Sequence, residues 1–282
     1  MLINFTKMQG TGNDFVLINC LKEISFSKLL NISELCAKIC HRKFGIGADQ
    51  VLLLMPSKVA DFRMDIYNAD GSKVEMCGNG IRCLAKYIWD EKLSEKEQLE
   101  IETPAGIIKP KKNGDMVKVD MGKPLFEPSL IPVNLDTGSP IFDYHLPILD
   151  SEFKINCVSM GNPHAVIYLQ QDISTFDVSR YGRLIENHSL FPKRINVEFV
   201  NVINKDKIKM RVWERGSGET LACGTGACSS AVVSIYKGLT NPKTEVELLG
   251  GSLFIEWNKG ESVFMTGPAK EVFKGRINID IF

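Results

Sequence analysis

Two cysteines stand out because each precedes the same glycine pattern. Glu75-Met76-Cys77-Gly78-Asn79-Gly80-Ile81-Arg82-Cys83 and Leu221-Ala222-Cys223-Gly224-Thr225-Gly226-Ala227-Cys228 each set a thiol before Gly-x-Gly and then a run that reads as a buried helix. A thiol at a helix start meets unused backbone N–H groups and the positive end of the helix dipole. Both favour the thiolate, so each cysteine is expected to ionise below the ordinary thiol value of about 8.5. A thiolate is a base and its protonated counterpart an acid. Two of them on opposite sides of a carbon could remove a proton from one face and deliver another to the other.

The surroundings of the thiols repeat as well. Cys77 and Cys223 lie 146 residues apart, and the same offset carries Asn68 onto Glu214, Tyr67 onto Trp213, Met64 onto Met210, Gly80 onto Gly226 and Gln50 onto Asn196. Asn13 and Asn162 differ by 149, which a three-residue indel explains. Amide and charged residues therefore recur at matching strand ends, in step with the thiols, as in a duplicated α/β lobe with its polar residues on the loop face. Two lobes facing across a cleft would put one cysteine on each side of a bound molecule. Helix-start N–H groups could hold a carboxylate and stabilise the charge that develops when the neighbouring carbon loses its proton. The expected reaction is racemisation or epimerisation of an α-amino acid without an electron-sink cofactor.

The elements that must position these groups can be read in outline. Phe5 to Met8 and Phe15 to Ile18 read as strands joined by the turn Gly10-Thr11-Gly12-Asn13-Asp14. That turn is a near miss to a dinucleotide fingerprint, but a strand follows where the fingerprint needs a helix. Ser33 is expected to cap a helix from about Glu34 to Arg42, with Leu35, Cys36, Ile39 and Cys40 on one side. Gly45-Ile46-Gly47-Ala48-Asp49 leads through Gln50 into the buried strand Val51 to Leu54, and Phe62 to Tyr67 alternates as a half-buried strand should. Arg82 and Lys86 are expected to form the narrow water-facing stripe of the helix after Cys77. Pro124 to Pro147, rich in proline, reads as the crossing between lobes. Strands follow around Asn156 to Tyr168, Asn196 to Val202, Lys209 to Trp213, Val246 to Phe264 and Glu271 to Phe282, with a helix inside Ile173 to Asn187.

Composition removes several function classes. With 34 basic and 34 acidic residues the formal charge is zero, and no basic stripe interleaves with aromatics, so nucleic acid is not an expected partner. No apolar run approaches the roughly 20 residues that span a bilayer, and Lys7 and Asp14 interrupt the segment where an export signal would need an apolar core. A cytoplasmic location is expected, with eight cysteines kept as reduced thiols. Cys36-x3-Cys40-His41 lacks a second ligand pair at a finger-like spacing, so core packing is preferred to zinc, and no metal is expected. A disulfide redox pair is the main rival for Cys77 and Cys223, but neither has Cys-x-x-Cys spacing. A nucleophilic hydrolase lacks an identifiable base partner.

At these residues the sequence resembles the diaminopimelate epimerases, pyridoxal-independent enzymes of lysine and peptidoglycan-precursor synthesis. The resemblance is carried by Gln9-Gly10-Thr11-Gly12-Asn13-Asp14-Phe15, Gly45-Ile46-Gly47-Ala48-Asp49-Gln50, the run from Asn68 to Arg82, Gly161-Asn162-Pro163-His164, Asn196-Val197, and Glu214-Arg215-Gly216 through Thr225-Gly226. It spans nearly the whole chain. Proline and hydroxyproline racemases are the alternative, but their first Cys-Gly typically continues with histidine where this chain has Asn79. The resemblance implies two pseudo-symmetric lobes, each a mainly antiparallel sheet wrapped around a central buried helix. They would comprise residues 1–120, with 268–282 returning, and 121–267. It also implies interconversion of LL- and meso-diaminopimelate with no cofactor, and a homodimer. Cys77 and Cys223 would be the acid–base pair, with Cys223 the acceptor and Cys77 the donor from LL to meso. Gly78, Asn79, Gly224 and Thr225 would hold the reacting carboxylate. Asn13, Gln50, Asn68, Asn162 and Asn196 would be amide ligands. Arg215 would take the distal carboxylate and Glu214 the distal ammonium, with His164 and Glu214 tuning the thiols.

Overall fold

Val51-Leu52-Leu53-Leu54 is apolar without alternation, which a strand tolerates only when both of its faces are covered. The computed structural model, which describes residues 1–23, 26, 29, 31–135 and 138–282, shows what covers them. The Pro124–Pro147 stretch includes residues 136 and 137, outside the described set. By internal contacts the chain forms two units, Met1–Val119 with Thr266–Phe282, and Asp120–Met265.

The first unit runs β1 (Leu2–Gly10), β2 (Asn13–Asn19), α1 (Ile32–Cys40), β3 (Gln50–Met55), β4 (Phe62–Asn68), β5 (Lys73–Val74), α2 (Gly78–Asp90), β6 (Ile101–Thr103) and β7 (Gly106–Ile108). Next come β8 (Lys111–Asn113) and β9 (Met116–Asp120), an antiparallel pair. The second unit runs β10 (Tyr144–Ile148), β11 (Ser151–Ser159), β12 (Pro163–Tyr168), α3 (Val178–Glu186), β13 (Asn196–Asn204), β14 (Lys207–Glu214), β15 (Gly218–Thr220), α4 (Gly224–Tyr236), β16 (Lys243–Leu248) and β17 (Gly251–Glu256). After β18 (Phe264–Pro268), β19 (Lys270–Asn278) ends the sheet structure.

The duplication read from the sequence is present in the strand order. The first sheet is ordered β19-β1-β2-β3-β4-β6-β7 with β5 on β4, and the second contains the matching order β10-β11-β12-β13-β14-β16-β17 with β15 on β14. Each is mainly antiparallel, with parallel pairs at matching places: β2 with β3 and β4 with β6, then β12 with β13 and β14 with β16. The register agrees too, for Phe15 stands opposite Gln50 as His164 stands opposite Asn196. One place differs in origin. The strand outside β1 is β19, which pairs antiparallel along almost its whole length, whereas β10 reaches β11 through a short turn.

The two faces of β3 go to different helices. Val51 and Leu53 share a core with Cys36, Ile39 and Cys40 of α1, whereas Leu52 lies under the start of α2, where a Cβ on Gly80 would meet it at 3.1 Å. In the second unit α3 packs on one side with Ile185, Val197 and Phe199, and α4 on the other with Ala227, Ala231, Val232 and Val200. Small side chains let a helix sit deep among strands, and α4 is rich in them. Burial pushes the packing thiols Cys83 and Cys157 up to about 12, so they stay neutral parts of the core.

Two expectations fail. Ser33 does not cap α1: the helix starts two residues earlier than expected, at Ile32, Asn31 occupies the cap position without a side-chain cap, and the Ser33 hydroxyl donates instead to the Gly71 carbonyl. Tertiary bonding has taken the group that local chemistry would use at the helix end. Arg82 does not face water. It is fully buried, donating to Pro268 O at 3.3 Å, Gly78 O at 3.3 Å and Thr11 Oγ1 at 3.4 Å. Helix periodicity alone could not show that the last strands return over that face.

Candidate active site

Each repeated cysteine is the N-cap of its helix, in extended backbone, and each Sγ accepts the N–H three residues on at 3.4 Å: Gly80 for Cys77 and Gly226 for Cys223. A capping sulfur satisfies one donor of the first turn and leaves others available for an anion.

Around Cys77 the polar groups come from three turns. Thr11 and Gly12, at φ 51° and 85°, form a two-residue hairpin loop that needs positive φ, and Asn13 opens β2 directly after it. Asn13 Oδ1 lies 3.8 Å from Cys77 Sγ and accepts from Asn79 Nδ2 at 3.4 Å, while Asn13 Nδ2 donates to Asp49 Oδ2 at 2.8 Å. Gln50 and Asn68, cross-strand partners at the ends of β3 and β4, are joined at 2.8 Å, and Asn68 donates to Ser72 Oγ at 2.9 Å. Gln50 Oε1 and Asn79 Oδ1 are buried with no hydrogen-bond partner among the described residues, two acceptors suited to a cationic amino group. Thus Cys77, Gly78, Asn79 and Asn13 gather at the start of α2, with Gln50 and Asn68 as a linked pair.

Around Cys223 the set is more heavily charged. Thr225 Oγ1 lies 3.5 Å from Cys223 Sγ and accepts from Asn162 Nδ2 at 3.2 Å. Asn162 Oδ1 lies 2.9 Å from His164 Nε2, and His164 Nδ1 lies 2.7 Å from Glu198 Oε1. Glu214 is held by the Thr220 hydroxyl and by Cys223 itself. Asn196, by contrast, is spent on the backbone, donating to Pro163 O at 2.8 Å and accepting from Arg215 N at 2.9 Å. The Arg215 guanidinium is exposed and donates to Lys193 O at 3.1 Å.

The electrostatics of Cys223 overturn the expectation of a lowered thiol pKa. Burial pushes this thiol well above its ordinary value, and the Glu214 and Glu198 carboxylates push it further. The Thr225 hydroxyl and Gly226 N–H pull it down without compensating. Desolvation of an anion therefore outweighs the helix-start donors. Glu214 is raised as well, chiefly by burial, against the Thr220 and Cys223 hydrogen bonds.

Two neighbours of the thiols have no role that sequence spacing assigns. Asp49 reads only as part of the turn before Gln50. Glu198 has no motif around it, and an acidic residue between Val197 and Phe199 in an apolar strand is the one signal that could have found it. Its counterpart under the offset of 146 is Leu52.

Known proteins are similar to this chain over nearly its whole length. The family model for diaminopimelate epimerase matches residues 5–127 and 156–272. The diaminopimelate epimerase of Acetivibrio thermocellus is 49% identical over 99% of this chain and 99% of its own, and that of Moorella thermoacetica 48% identical over 99% and 100%. Among solved structures, a phenazine biosynthesis protein of the PhzF family from Bacillus anthracis covers 99% of both chains at 16% identity with a TM-score of 0.69. A hydroxyproline epimerase from Agrobacterium vitis covers 98% of this chain and 92% of its own at 13% identity, also with a TM-score of 0.69. Those two likenesses show a shared fold. With matching relatives along its whole length, the chain belongs to the diaminopimelate epimerase family.

Proposed function

We propose that this protein interconverts LL- and meso-diaminopimelate, with Cys77 and Cys223 as the two acid–base groups. The observation that carries the reading is the duplicated cap: two thiols, each at the first turn of a buried 13-residue helix, each bonded to the N–H three residues on. Inversion of a carbon requires that, in the substrate complex, one sulfur meets each face of the α-carbon. One thiolate takes the α-proton as the opposing thiol delivers its own, and both sulfurs have exchanged roles after turnover. In the direction from LL to meso, Cys223 accepts and Cys77 donates.

The α-carboxylate bears the charge that grows as the proton leaves. The N–H groups of Gly78 and Asn79 and of Gly224 and Thr225, at two helix starts, suit it. The amides of Asn13, Gln50, Asn68 and Asn162 suit the amino and carboxylate groups, as does Asn196 through the second N–H and second lone pair that its bonds to Pro163 O and Arg215 N leave over, and Arg215 and Glu214 suit the distal carboxylate and ammonium. Glu214 and His164 adjust the thiols. The reaction sits in lysine and peptidoglycan-precursor synthesis, in the cytoplasm, with the protein acting as a homodimer without a cofactor. No described helix is long and apolar enough to cross a membrane.

The test is an assay with LL-diaminopimelate, proline and simple amino acids in thiol reductant, followed by NMR in D2O. Turnover of diaminopimelate with deuterium at the α-carbon is expected. Turnover of proline in its place, or inverted product without deuterium, overturns the reading.

A further inference from the structure

Beneath the start of α4 lies a pair of side chains that the first copy lacks. Glu198 and His164 are both fully buried. Phe15 and Leu52 fill the corresponding seat in the first copy, one opposite Gln50 and the other two residues along β3. The helix glycines report the difference directly. A Cβ on Gly80 would meet Leu52 Cδ2 at 3.1 Å and Phe15 at 3.5 Å, whereas one on Gly226 would meet Glu198 Oε1 at 2.8 Å. Burying a carboxylate and an imidazole where two apolar side chains can pack is costly, and Glu198 Oε2 has no hydrogen-bond partner among the described residues. Stability does not explain the pair.

What the pair does is send a hydrogen-bond chain to the sulfur. Asn162 Oδ1 faces His164 Nε2, so that nitrogen carries a hydrogen; Asn162 Nδ2 then donates to Thr225 Oγ1. The Thr225 hydroxyl, accepting from the amide, has its own hydrogen free for Cys223 Sγ at 3.5 Å. Glu214 from β14 and Glu198 from β13 are the titratable groups that act on that sulfur, and His164 from β12 acts on Glu214.

We propose that Glu198 is a positioning residue for Cys223: it anchors His164 Nδ1, which fixes the Asn162 amide and aims the Thr225 hydroxyl at the sulfur. This rests on Cys223 being one of the two acid–base thiols. The first copy carries Phe15 and Leu52 in place of His164 and Glu198, and there Cys77 faces the acceptor Asn13 Oδ1. Both sulfurs accept a helix N–H, and they differ in the side chains that meet them: Asn13 Oδ1 at Cys77, the Thr225 hydroxyl and Glu214 at Cys223.

The sign of the effect separates this role from a simpler one. As a bare negative charge, Glu198 would oppose the thiolate, and removing it would let Cys223 ionise at lower pH. As the anchor of a donor chain, its removal withdraws the hydroxyl hydrogen, and Cys223 ionises at higher pH. The experiment is alkylation by iodoacetamide across pH, with Cys223 and Cys77 resolved by peptide mass spectrometry. This reads the thiol without epimerase activity, so its failure is distinct from failure of the proposed function. In Glu198→Leu, Cys223 is expected to react about fivefold more slowly at a fixed pH below its midpoint, the size of one hydrogen bond, with Cys77 unchanged. Thr225→Val gives the same loss, and adding Glu198→Leu to it gives no more. Glu198→Gln, whose amide can donate to Nδ1 and keep the hydrogen on Nε2, recovers much of the rate. A faster or unchanged Cys223 in Glu198→Leu, or a further loss in the double variant, overturns the proposal. Should Glu198→Leu fail to fold, 15N NMR of the unaltered protein decides the matter. A protonated His164 Nε2 supports the chain, and a bare one overturns it.

Discussion

Asp49 Oδ2 accepts a hydrogen bond from Asn13 Nδ2 at 2.8 Å, and this contact decides which atom Asn13 turns to Cys77. A carboxylate only accepts, so the amide nitrogen must face it and Oδ1 is left toward the sulfur. Asp49 is itself held by Arg42 Nη2 at 2.7 Å and by the backbone N–H of Asp14 at 3.1 Å. Asp49→Ala frees the Asn13 amide to rotate. It is expected to lower kcat/KM about tenfold, the loss of one well-placed hydrogen bond, with the melting temperature nearly unchanged. Steady-state kinetics in both directions checks this, and full activity would show that Asn13 needs no such support.

Cys77→Ser and Cys223→Ser are each expected to abolish epimerisation while circular dichroism stays native, because a hydroxyl is far too weak an acid to replace a thiol. Solvent deuterium should still enter the α-carbon of one isomer only in each variant, where the remaining thiol faces the proton it can remove. NMR of LL and meso substrates in D2O reads this. Substantial epimerisation in either variant would sink the two-base mechanism.

Asp14 joins Lys7 and Arg42. Burial raises its carboxyl, but the Arg42 and Lys7 hydrogen bonds prevail and hold it well below the usual carboxylate range. A carboxylate depressed in the folded state adds stability that is fully present above its unfolded value of about 3.9, and that stability is lost as pH falls below it. Asp14→Asn should therefore melt lower than the unaltered protein at pH 7, with the gap closing as pH falls below about 4. Melting curves from pH 3 to 8 show this, and a constant gap would exclude the linkage.

Gly182 lies in α3 with no room beside it: a Cβ there would meet Trp213 Cβ at 2.5 Å. Trp213 is itself fixed by Nε1 donating to Glu186 at 2.7 Å. Helix propensity alone would make Gly182→Ala stabilising by up to about 1 kcal/mol, whereas overpacking predicts a loss of about 1–3 kcal/mol. Denaturant unfolding decides the sign.

Arg82 stitches the β1–β2 turn, the start of α2 and the end of β18 through Thr11, Gly78 and Pro268. Arg82→Met keeps the apolar volume but strands those acceptors. It is expected to cost about 2–3 kcal/mol, read as a lower denaturation midpoint with an unchanged slope; an unaltered midpoint would make the contacts dispensable.

By itself the sequence determined the repeat, the two capped thiols and the family. Each of these depends on residue type and spacing along the chain: a cysteine before Gly-x-Gly, amides at strand ends, an offset that holds over many positions. Tertiary structure decided what long-range neighbours set. It buried Arg82, because β18 returns to a helix face that periodicity assigned to water. It drew Ser33 from its helix cap to the Gly71 carbonyl. It raised the Cys223 thiol that a local view of helix dipoles lowers, because solvent exclusion and two carboxylates from other strands act through space. It also set Glu198 and His164 in the seat that Leu52 and Phe15 fill in the first copy, so that two sulfurs alike in sequence context meet different chemistry.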